Sequence, residues 1–249
     1  MEALACRLLP DAAASGPDNM AADEVLLESA AAGRASVRFY GWSGPTLSLG
    51  YFQPERLRHT DEGLARLPYV RRPSGGDALV HHHELTYAFA LPAGPPWQAP
   101  GARASSWLPR VHAVIAAALG SLGIGVRLYG AGRAEPFGGF LCFQHLTPGD
   151  LLIGPAKVAG SAQRRQRGAV LQHGGLLLAA SPHAPALPGI RELAGRPLAA
   201  DDARAAIVRE LGRQTGWRLE AGDWEPAERR RIDQLVAQKY TQPAWNRKR

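Results

Sequence analysis

The spacing of apolar residues along the chain separates predicted helices from predicted strands. Residues 19–32 carry apolar side chains at helical spacing, and Gly33 ends the pattern. Further helices are predicted at residues 54–67, 104–122, 201–215 and 226–240. Short apolar runs predict strands at residues 5–9, 36–42, 46–51, 69–72, 85–91, 126–129, 138–143, 151–159 and 169–179. Several strands follow one another without an intervening helix, which predicts a mixed α/β or α+β fold and not a doubly wound parallel sheet.

Turn residues predict how some of these strands pair. The segment Ser43-Gly44-Pro45 predicts a hairpin between the strands on either side of it. The strands at residues 69–72 and 85–91 are expected to pair across a polar, glycine-containing segment. Residues 151–159 are interpreted as one strand, bent at Gly154-Pro155.

The composition limits the class of protein. A chain of 249 residues that is 45% hydrophobic can bury a real core, and it forms one large domain or two small ones. The apolar runs are shorter than the roughly 18 residues that a membrane helix needs, and the first ten residues lack the features of a secretory signal. Cys6 and Cys142 are too few for a disulfide framework or a thiolate zinc site. We therefore expect a soluble, cytoplasmic protein with free thiols, and we interpret Cys6 as a packing residue.

The positive charge is concentrated in the C-terminal part of the chain. The formal net charge is +7, and residues 160–249 carry 16 Lys+Arg against 9 Asp+Glu, whereas the preceding residues are balanced. Two explanations fit this excess of positive charge equally well: a solvated, arginine-rich surface, and a surface that binds an acidic partner. Zinc-finger spacing, an aromatic RNA-binding strand and a convincing helix-turn-helix are all missing from the sequence. An acidic protein is therefore a better candidate partner than nucleic acid.

Residues 71–77 combine two arginines with a flexible turn. Arg71 and Arg72 end a predicted strand, and Ser74, Gly75 and Gly76 follow. Glycine lacks a Cβ, so the backbone of such a turn can approach a ligand closely. Ser-Gly-Gly turns are common, however, and the segment lacks the Gly-x-x-x-x-Gly-Lys pattern of a phosphate-binding loop. The turn is a candidate binding loop on residue type alone.

Three consecutive histidines invite a metal interpretation. If the segment were extended, His81 and His83 would share a face and His82 would oppose them. Neither Asp77 nor Glu84 completes a recognised ligand spacing. We therefore predict no metal site, and favour a polar loop in which one histidine faces a binding site.

One cysteine and one lysine form a candidate catalytic pair. Cys142 lies in an apolar segment and Lys157 follows fifteen residues later, so the two side chains could meet if their segments were adjacent strands. A buried cysteine with a purely structural role is the commoner case. A further polar patch, residues 172–175, interrupts an apolar strand, which is typical of a site or a bulge.

Four separated segments together resemble the lipoate and biotin protein ligase superfamily. They are residues 19–24 (NMAADE), 38–42 (RFYGW) with 46–53 (TLSLGYFQ), 71–76 (RRPSGG) with 84–87 (ELTY), and 157–163 (KVAGSAQ) with 171–174 (LQHG). Within it, the pair Cys142-Phe143 is similar to the nucleophile segment of octanoyl-acyl-carrier-protein:protein octanoyltransferases. The resemblance implies one acyltransferase domain over residues 1–249, with a mixed, mostly antiparallel sheet flanked by helices, on which the helices in residues 201–240 pack.

The resemblance also implies roles for individual residues. Cys142 would be the nucleophile that carries the acyl group, and Lys157 would assist it. The substrate-binding residues implied at the mouth of an acyl tunnel are Arg71, Ser74, Gly75, Gly76, His81, Gly160, Ser161, Ala162, Gln172, His173 and Gly174. Asp77 and His82 depart from the pattern of the family at this loop.

The implied reaction transfers an octanoyl group, in protein lipoylation, from octanoyl-acyl carrier protein through a Cys142 thioester to a lysine of a lipoyl domain or of the glycine cleavage H protein. It needs no cofactor, because the donor is already a thioester and ATP activation is unnecessary. Two alternatives stay open within the superfamily. They are an ATP-dependent lipoate-protein ligase and an amidotransferase that moves the acyl group between lipoyl domains. A catalytically silent module that binds lipoyl domains is a third alternative.

Overall fold

The computed structural model describes residues 4–10, 12–92, 107–130 and 139–249. The strands are β1 (Ala5–Leu8), β2 (Ala13–Ala14), β3 (Ser36–Trp42), β4 (Thr46–Leu49), β5 (Tyr69–Arg71), β6 (Leu79–His81), β7 (Glu84–Pro92), β8 (Arg127–Leu128), β9 (Leu151–Ile153), β10 (Ala156–Gln166), β11 (Ala169–Leu177) and β12 (Arg218–Ala221). The helices are α1 (Gly16–Ala31), α2 (Glu62–Arg66), α3 (Trp107–Ser121), α4 (Ile190–Ala194), α5 (Ala200–Thr215), α6 (Pro226–Leu235) and α7 (Pro243–Asn246).

Two sheets build the molecule. The large sheet has the order β12-β1-β3-β7-β11-β10-β9-β8, and β2 pairs with β3 beside this path. Its parallel pairs are β1 with β12, β1 with β3, and β2 with β3, and the other pairs are antiparallel. The small sheet has the order β5-β4-β6. The predicted fold class, a mixed and mostly antiparallel sheet flanked by helices, is confirmed.

Alternation along β7 explains why helices cover both faces of the large sheet. Tyr87, Phe89 and Leu91 point into the core shared with α3 and α5, whereas Ala88 and Ala90 point into the core shared with α1. The alanine side chains are short, so α1 can lie close to the sheet. Helix α6 packs on the outer side of α1. The helices predicted at residues 201–215 and 226–240 both form, the second ending in a π-helical turn.

The first helix begins earlier than predicted, at Gly16, because Ser15 caps it. The Ser15 side chain accepts a hydrogen bond from the Asp18 backbone N–H, and Pro17 occupies the first turn, where a missing N–H costs nothing. Cys6 is 0% exposed in β1, and burial raises its pKa to about 12, in agreement with a packing role. Among the helices of the described ranges, none has both the length and the apolar character required to cross a membrane.

The two predicted strand pairings are wrong. Strands β3 and β4 lie in different sheets, since β3 pairs with β1, β2 and β7 whereas β4 pairs with β5 and β6. Strand β7 likewise pairs with β3 and β11, and not with β5. The reason is that Leu47 and Leu49 of β4 pack in a separate apolar cluster with Leu141 and Phe143, which the local turn residues do not reveal.

Three predicted elements also form differently. In the segment predicted as a strand at residues 138–143, Leu141 makes an isolated bridge to Ala78, and a 3-10 turn follows at Cys142–Gln144, while residue 138 lies outside the described ranges. Residues 151–159 form a hairpin, β9 and β10, because Gly154 adopts a positive φ of 58° that reverses the chain. The helix predicted at residues 54–67 is a 3-10 segment followed by α2. The part of the predicted helix 104–122 before Trp107 lies outside the described ranges.

Candidate active site

A cavity of about 360 Å³ lies where the small sheet meets the β10–β11 part of the large sheet. Most of the predicted site residues line it: Gly75, Gly76, His81, Cys142, Lys157, Gly160, Ser161, Ala162, His173 and Gly174. Its apolar lining residues include Met20, Leu79 and Phe143, and Cys142 and Lys157 are among its polar lining residues. An apolar pocket of this size with a few convergent polar groups is typical of a site for a small ligand.

Arg71 does not line the cavity. It is 0% exposed, and its Nη1 donates to the backbone carbonyls of Gly50 and Gln53 at 2.8 and 2.7 Å. Its Nη2 donates to the Asn246 carbonyl at 2.9 Å. The next residue, Arg72, does line the cavity, because consecutive side chains of an extended segment point to opposite sides. Arg71 therefore makes structural contacts with the backbone and does not face the cavity, where the resemblance implies a substrate contact for it.

Gln172 and Ser74 lie behind the cavity wall. Gln172 donates from Nε2 to Ser161 Oγ at 3.0 Å and faces α3, where it also reaches the Leu108 carbonyl. Ser74 is buried, and its Oγ is 2.5 Å from His173 Nε2. Neither side chain reaches the cavity itself, but each contacts a residue that does.

Cys142 begins the 3-10 turn beside the glycine-containing loop. Its backbone N–H donates to the Ala78 carbonyl at 2.8 Å, which ties the turn to the chain segment that follows Asp77. Burial raises the pKa of the Cys142 thiol, while the positive charges of Lys157 and Arg72 lower it. The thiol therefore lies in an enclosed site, with two cations available to stabilise the thiolate.

Lys157 is fixed by three acceptors. Its Nζ lies 2.7 Å from Asp150 Oδ2, and it donates to the Cys142 and His145 carbonyls at 3.2 and 3.3 Å. Gly160 leaves room for this side chain, since a Cβ at that position would lie 2.4 Å from Lys157 Cε. The two carbonyl contacts place the ammonium directly against the Cys142 turn.

Asp150 belongs to the site but was not predicted from the sequence. This carboxylate accepts a hydrogen bond from the Thr147 backbone N–H at 2.7 Å. Burial raises its pKa, and the adjacent Lys157 ammonium lowers it. Its position directly after Pro148-Gly149 and before an apolar strand was the available signal, but acidic residues at such turns are common.

Arg72 also lies at the site but was not predicted there, although the sequence drew attention to the two adjacent arginines. It donates to the carbonyls of Ser48, Gly75 and Asp77, at 3.2, 2.8 and 2.6 Å respectively. These bonds hold the glycine turn in place beside the thiol. Since Arg72 is buried, its charge acts on Cys142 through a medium that screens it weakly.

The segments that carry the family resemblance converge on one buried network. Asp23 Oδ2 accepts from Tyr40 OH at 2.8 Å and from His173 Nδ1 at 2.7 Å. His173 Nε2 then accepts from the Ser74 hydroxyl. Asp23 Oδ1 also pairs with Arg38 Nη1 at 3.2 Å. Helix α1, β3, β11 and the glycine turn are thereby fixed to one another behind the cavity.

The three consecutive histidines do not act together. His81 faces the cavity, where its ring stacks on Trp42 at 3.8 Å between ring centroids and its Nδ1 donates to Glu84 Oε1 at 2.5 Å. His82 and His83 lie in the turn after β6 and stack on each other. The extended arrangement considered for this segment does not form. Within the part of the chain that the structure describes, no group of three or more His, Cys, Asp and Glu side chains could hold a metal ion.

Comparisons with known proteins identify the family of this catalytic domain. Residues 15–186 match the model of the lipoyl protein ligase A/B catalytic domain. An octanoyltransferase LipM from Kyrpidia tusciae is 32% identical and one from Symbiobacterium thermophilum is 33% identical, each over 96% of this chain and 97% of the relative.

Solved structures share the fold at lower identity. Lipoate-protein ligase A bound with ATP has a TM-score of 0.77 at 19% identity and covers 98% of this chain and 99% of that one. A bipartite lipoate protein ligase from Thermoplasma acidophilum, solved in a study of the ligase and its E2 lipoyl domain, has a TM-score of 0.72 at 17% identity, over 99% and 97% of the two chains. The family model and the LipM relatives show that this chain belongs to the lipoyl protein ligase A/B catalytic domain family.

Proposed function

We propose that the chain, acting as one catalytic unit, transfers an octanoyl group from an acyl carrier protein to a lysine of a lipoyl domain or of the glycine cleavage H protein. Its relatives over nearly the full length are octanoyltransferases, and the chain is an acyltransferase of the same kind. The observation that carries the proposed mechanism is the position of Cys142 beside Lys157 in the lining of a largely apolar cavity.

In the first step, the Cys142 thiolate attacks the carbonyl carbon of the octanoyl thioester. A bond forms between Sγ and the acyl carbon, the bond to the donor sulfur breaks, and the donor thiolate takes up the proton that Cys142 lost. One thioester replaces another, so the step needs no ATP. The apolar wall favours the acyl tail by about 0.8 kcal/mol for each buried CH₂ group.

In the second step, the neutral amine of the acceptor lysine attacks the acyl-enzyme. The new carbon–nitrogen bond forms as the bond to Cys142 Sγ breaks, and the proton released by the amine returns to the thiolate. The amide product is more stable than the thioester, which drives the cycle forward.

Lys157 does more in this mechanism than lower the pKa of the thiol. A lower pKa increases the thiolate fraction but decreases the nucleophilicity of each thiolate, so the net gain is about a few-fold. Stabilisation of a developing oxyanion is worth on the order of a hundredfold or more. The Lys157 bonds to the Cys142 and His145 carbonyls are longer than its contact with Asp150, so one N–H can turn to the substrate oxygen while the ion pair stays intact.

The fold by itself does not distinguish this transferase from an ATP-dependent ligase, because an ATP-bound ligase shares it. The purified chain should form octanoylated lipoyl domain from octanoyl-acyl carrier protein without ATP. It should not catalyse pyrophosphate exchange with free octanoate or lipoate. Exchange in the absence of carrier protein, together with no transfer from the thioester donor, would contradict the proposal.

A further inference from the structure

We propose that the acidic carrier protein that delivers the acyl group docks on a basic aromatic surface at the mouth of the cavity. We call it the mouth surface, and it consists of Tyr51, Phe52, Arg164, Lys248 and Arg249. The inference rests on the proposed function, because it locates the donor of that same reaction.

Phe52 places this surface beside the cavity. Its side chain is 68% exposed, more than any other large apolar residue in the described ranges. A Cβ added at Gly75, which lines the cavity, would lie 3.8 Å from the Phe52 ring. An adjoining groove, lined in part by Phe52 and Leu57, continues to Gly76 and Asp77. An exposed aromatic ring at this position is typical of an anchor for a protein partner.

Cations surround the aromatic pair. Lys248 Nζ donates to Tyr51 OH at 2.6 Å, and the guanidiniums of Arg164 and Arg249 lie 5.8 and 5.7 Å from the centre of the Tyr51 ring. Arg249 also lies 5.5 Å from the centre of the Phe52 ring. The Lys248 bond lowers the pKa of Tyr51.

These charges are available to a partner. Across the described ranges, none of Arg164, Lys248 and Arg249 has a carboxylate of another residue within 4.0 Å, whereas Lys239 in the same part of the chain pairs with Glu24. The positive potential of the mouth surface is therefore not neutralised by a carboxylate of the described residues.

The buried arginine that does not line the cavity holds this surface in place. Arg71 donates to the Asn246 carbonyl, and Trp245 Nε1 donates to the Arg71 carbonyl at 2.8 Å. The Glu55 backbone N–H donates to the Arg249 carbonyl at 2.9 Å. The last residues of the chain are thus fixed against the loop that carries Tyr51 and Phe52, so little conformational entropy is lost when a partner binds.

An acidic carrier protein fits this surface for two reasons. Its carboxylates complement the unpaired cations, which accelerates association and fixes orientation. In addition, a carrier presents its acyl thioester on a flexible arm, so the arm enters past Gly75 and Gly76 while the folded body stays outside the mouth. The surface is therefore placed where the body of the donor must lie.

The test reverses the three charges and compares two octanoyl donors. The mouth-surface variant is Arg164→Glu/Lys248→Glu/Arg249→Glu. The matched control is Arg191→Glu/Arg209→Glu/Arg230→Glu, at exposed arginines that do not line the cavity. Formation of the Cys142 acyl-enzyme is followed by mass spectrometry with octanoyl-acyl carrier protein and with octanoyl-N-acetylcysteamine, which has no protein body. Circular dichroism verifies that both variants are folded.

We expect the second-order rate constant for acylation by the carrier donor to fall at least about tenfold in the mouth-surface variant and to lose most of its salt dependence. The rate of acylation by the small thioester should stay within about twofold of the wild-type rate. In the control variant, the rates with both donors should do the same. Equal carrier kinetics in the two triple variants would overturn the proposal, as would an equal loss with both donors. A defect confined to transfer onto the lipoyl domain would assign the surface to the acceptor instead. If the wild type formed no acyl-enzyme with either donor, the proposed function would fail first, and this inference with it.

Discussion

Lys157 Nζ lies 2.7 Å from Asp150 Oδ2, and the two side chains are only 6% and 3% exposed. A buried ion pair is costly to desolvate, and losing either partner leaves an uncompensated charge in the protein interior. Asp150 therefore holds the Lys157 side chain beside the Cys142 turn. This arrangement supports the proposed role of Lys157 as a positive charge in the reaction.

The two members of this pair should shift the reactivity of Cys142 in opposite directions. The negative charge of Asp150 raises the pKa of Cys142 and the positive charge of Lys157 lowers it. The apparent pKa for iodoacetamide alkylation of Cys142 should thus fall in Asp150→Asn and rise in Lys157→Met. The rate at each pH is measured by mass spectrometry of the Cys142 peptide.

Asp233→Asn serves as the control for this experiment, because Asp233 is exposed and does not line the cavity. Cys6 should not interfere, since it is completely buried. A rise in the apparent pKa of Cys142 in Asp150→Asn, or a fall in Lys157→Met, would disprove the electrostatic assignment.

Loss of the Lys157 ammonium should lower the transfer activity more than the accompanying change in the thiol pKa explains. In Lys157→Ala we expect kcat/KM for octanoyl transfer to fall on the order of a hundredfold or more, because the oxyanion loses its cation. Raising the pH ionises the thiol but does not replace that charge. Assays over a range of alkaline pH values test this, and recovery of most of the activity at high pH would refute it.

Gly160→Ala should displace Lys157 without unfolding the protein. The new Cβ would lie 2.4 Å from Lys157 Cε and 2.9 Å from Nζ, at the flexible end of that side chain. We expect transfer to fall on the order of a hundredfold, and circular dichroism verifies that the variant is folded.

Gly120→Ala is the matched control for this substitution. A Cβ at Gly120 meets no atom within 4 Å, and the residue lies in the last turn of α3. That change should preserve activity and leave the stability of the fold unchanged or slightly higher. Full activity of Gly160→Ala would show that the position of Lys157 is not critical.

His112 should make stability depend on pH. It is buried, its Nδ1 donates to the Gly149 carbonyl at 2.5 Å, and its Nε2 lies 2.8 Å from Tyr87 OH and 3.0 Å from Ser161 Oγ and accepts from one of these hydroxyls. Burial lowers its pKa to about 4, so the folded protein holds it neutral. The unfolded chain binds the proton more readily, so stability is complete above the unfolded pKa and falls as the pH decreases toward 4.

Between about pH 7 and pH 5, this linkage should cost about 2 kcal/mol. Thermal unfolding at both pH values should therefore show a larger loss for the wild type than for His112→Gln, which cannot take up the proton. Equal losses in the two proteins would contradict the assignment.

The sequence predicted the chemical groups of the site better than their arrangement. Cys142 and Lys157 were predicted in two strands that would bring them together if they were adjacent, but Cys142 lies in a 3-10 turn that Lys157 contacts through a backbone carbonyl. Arg71 and Arg72 are adjacent, and residue type does not reveal which of them faces the cavity. Asp150 is a single acidic residue after a Pro-Gly turn, and only the fold shows that it meets Lys157.

The fold class could be predicted because the order of helices and strands reflects local patterns. The pairing of β3 and β4 could not, because each strand has its partners far away in the sequence. Turn residues such as Ser43-Gly44-Pro45 report where the chain bends, but they do not report which sheet the next strand joins.

In the proposed mechanism, Cys142 carries the octanoyl group as a thioester between the two substrates. Intact-protein and peptide mass spectrometry tests this after the chain is mixed with octanoyl-acyl carrier protein in the absence of acceptor. We expect a mass increase equal to one octanoyl group on the Cys142 peptide, absent in Cys142→Ala and discharged when apo lipoyl domain is added. Transfer to the lipoyl domain by Cys142→Ala at the wild-type rate, with no adduct on Cys142, would contradict it.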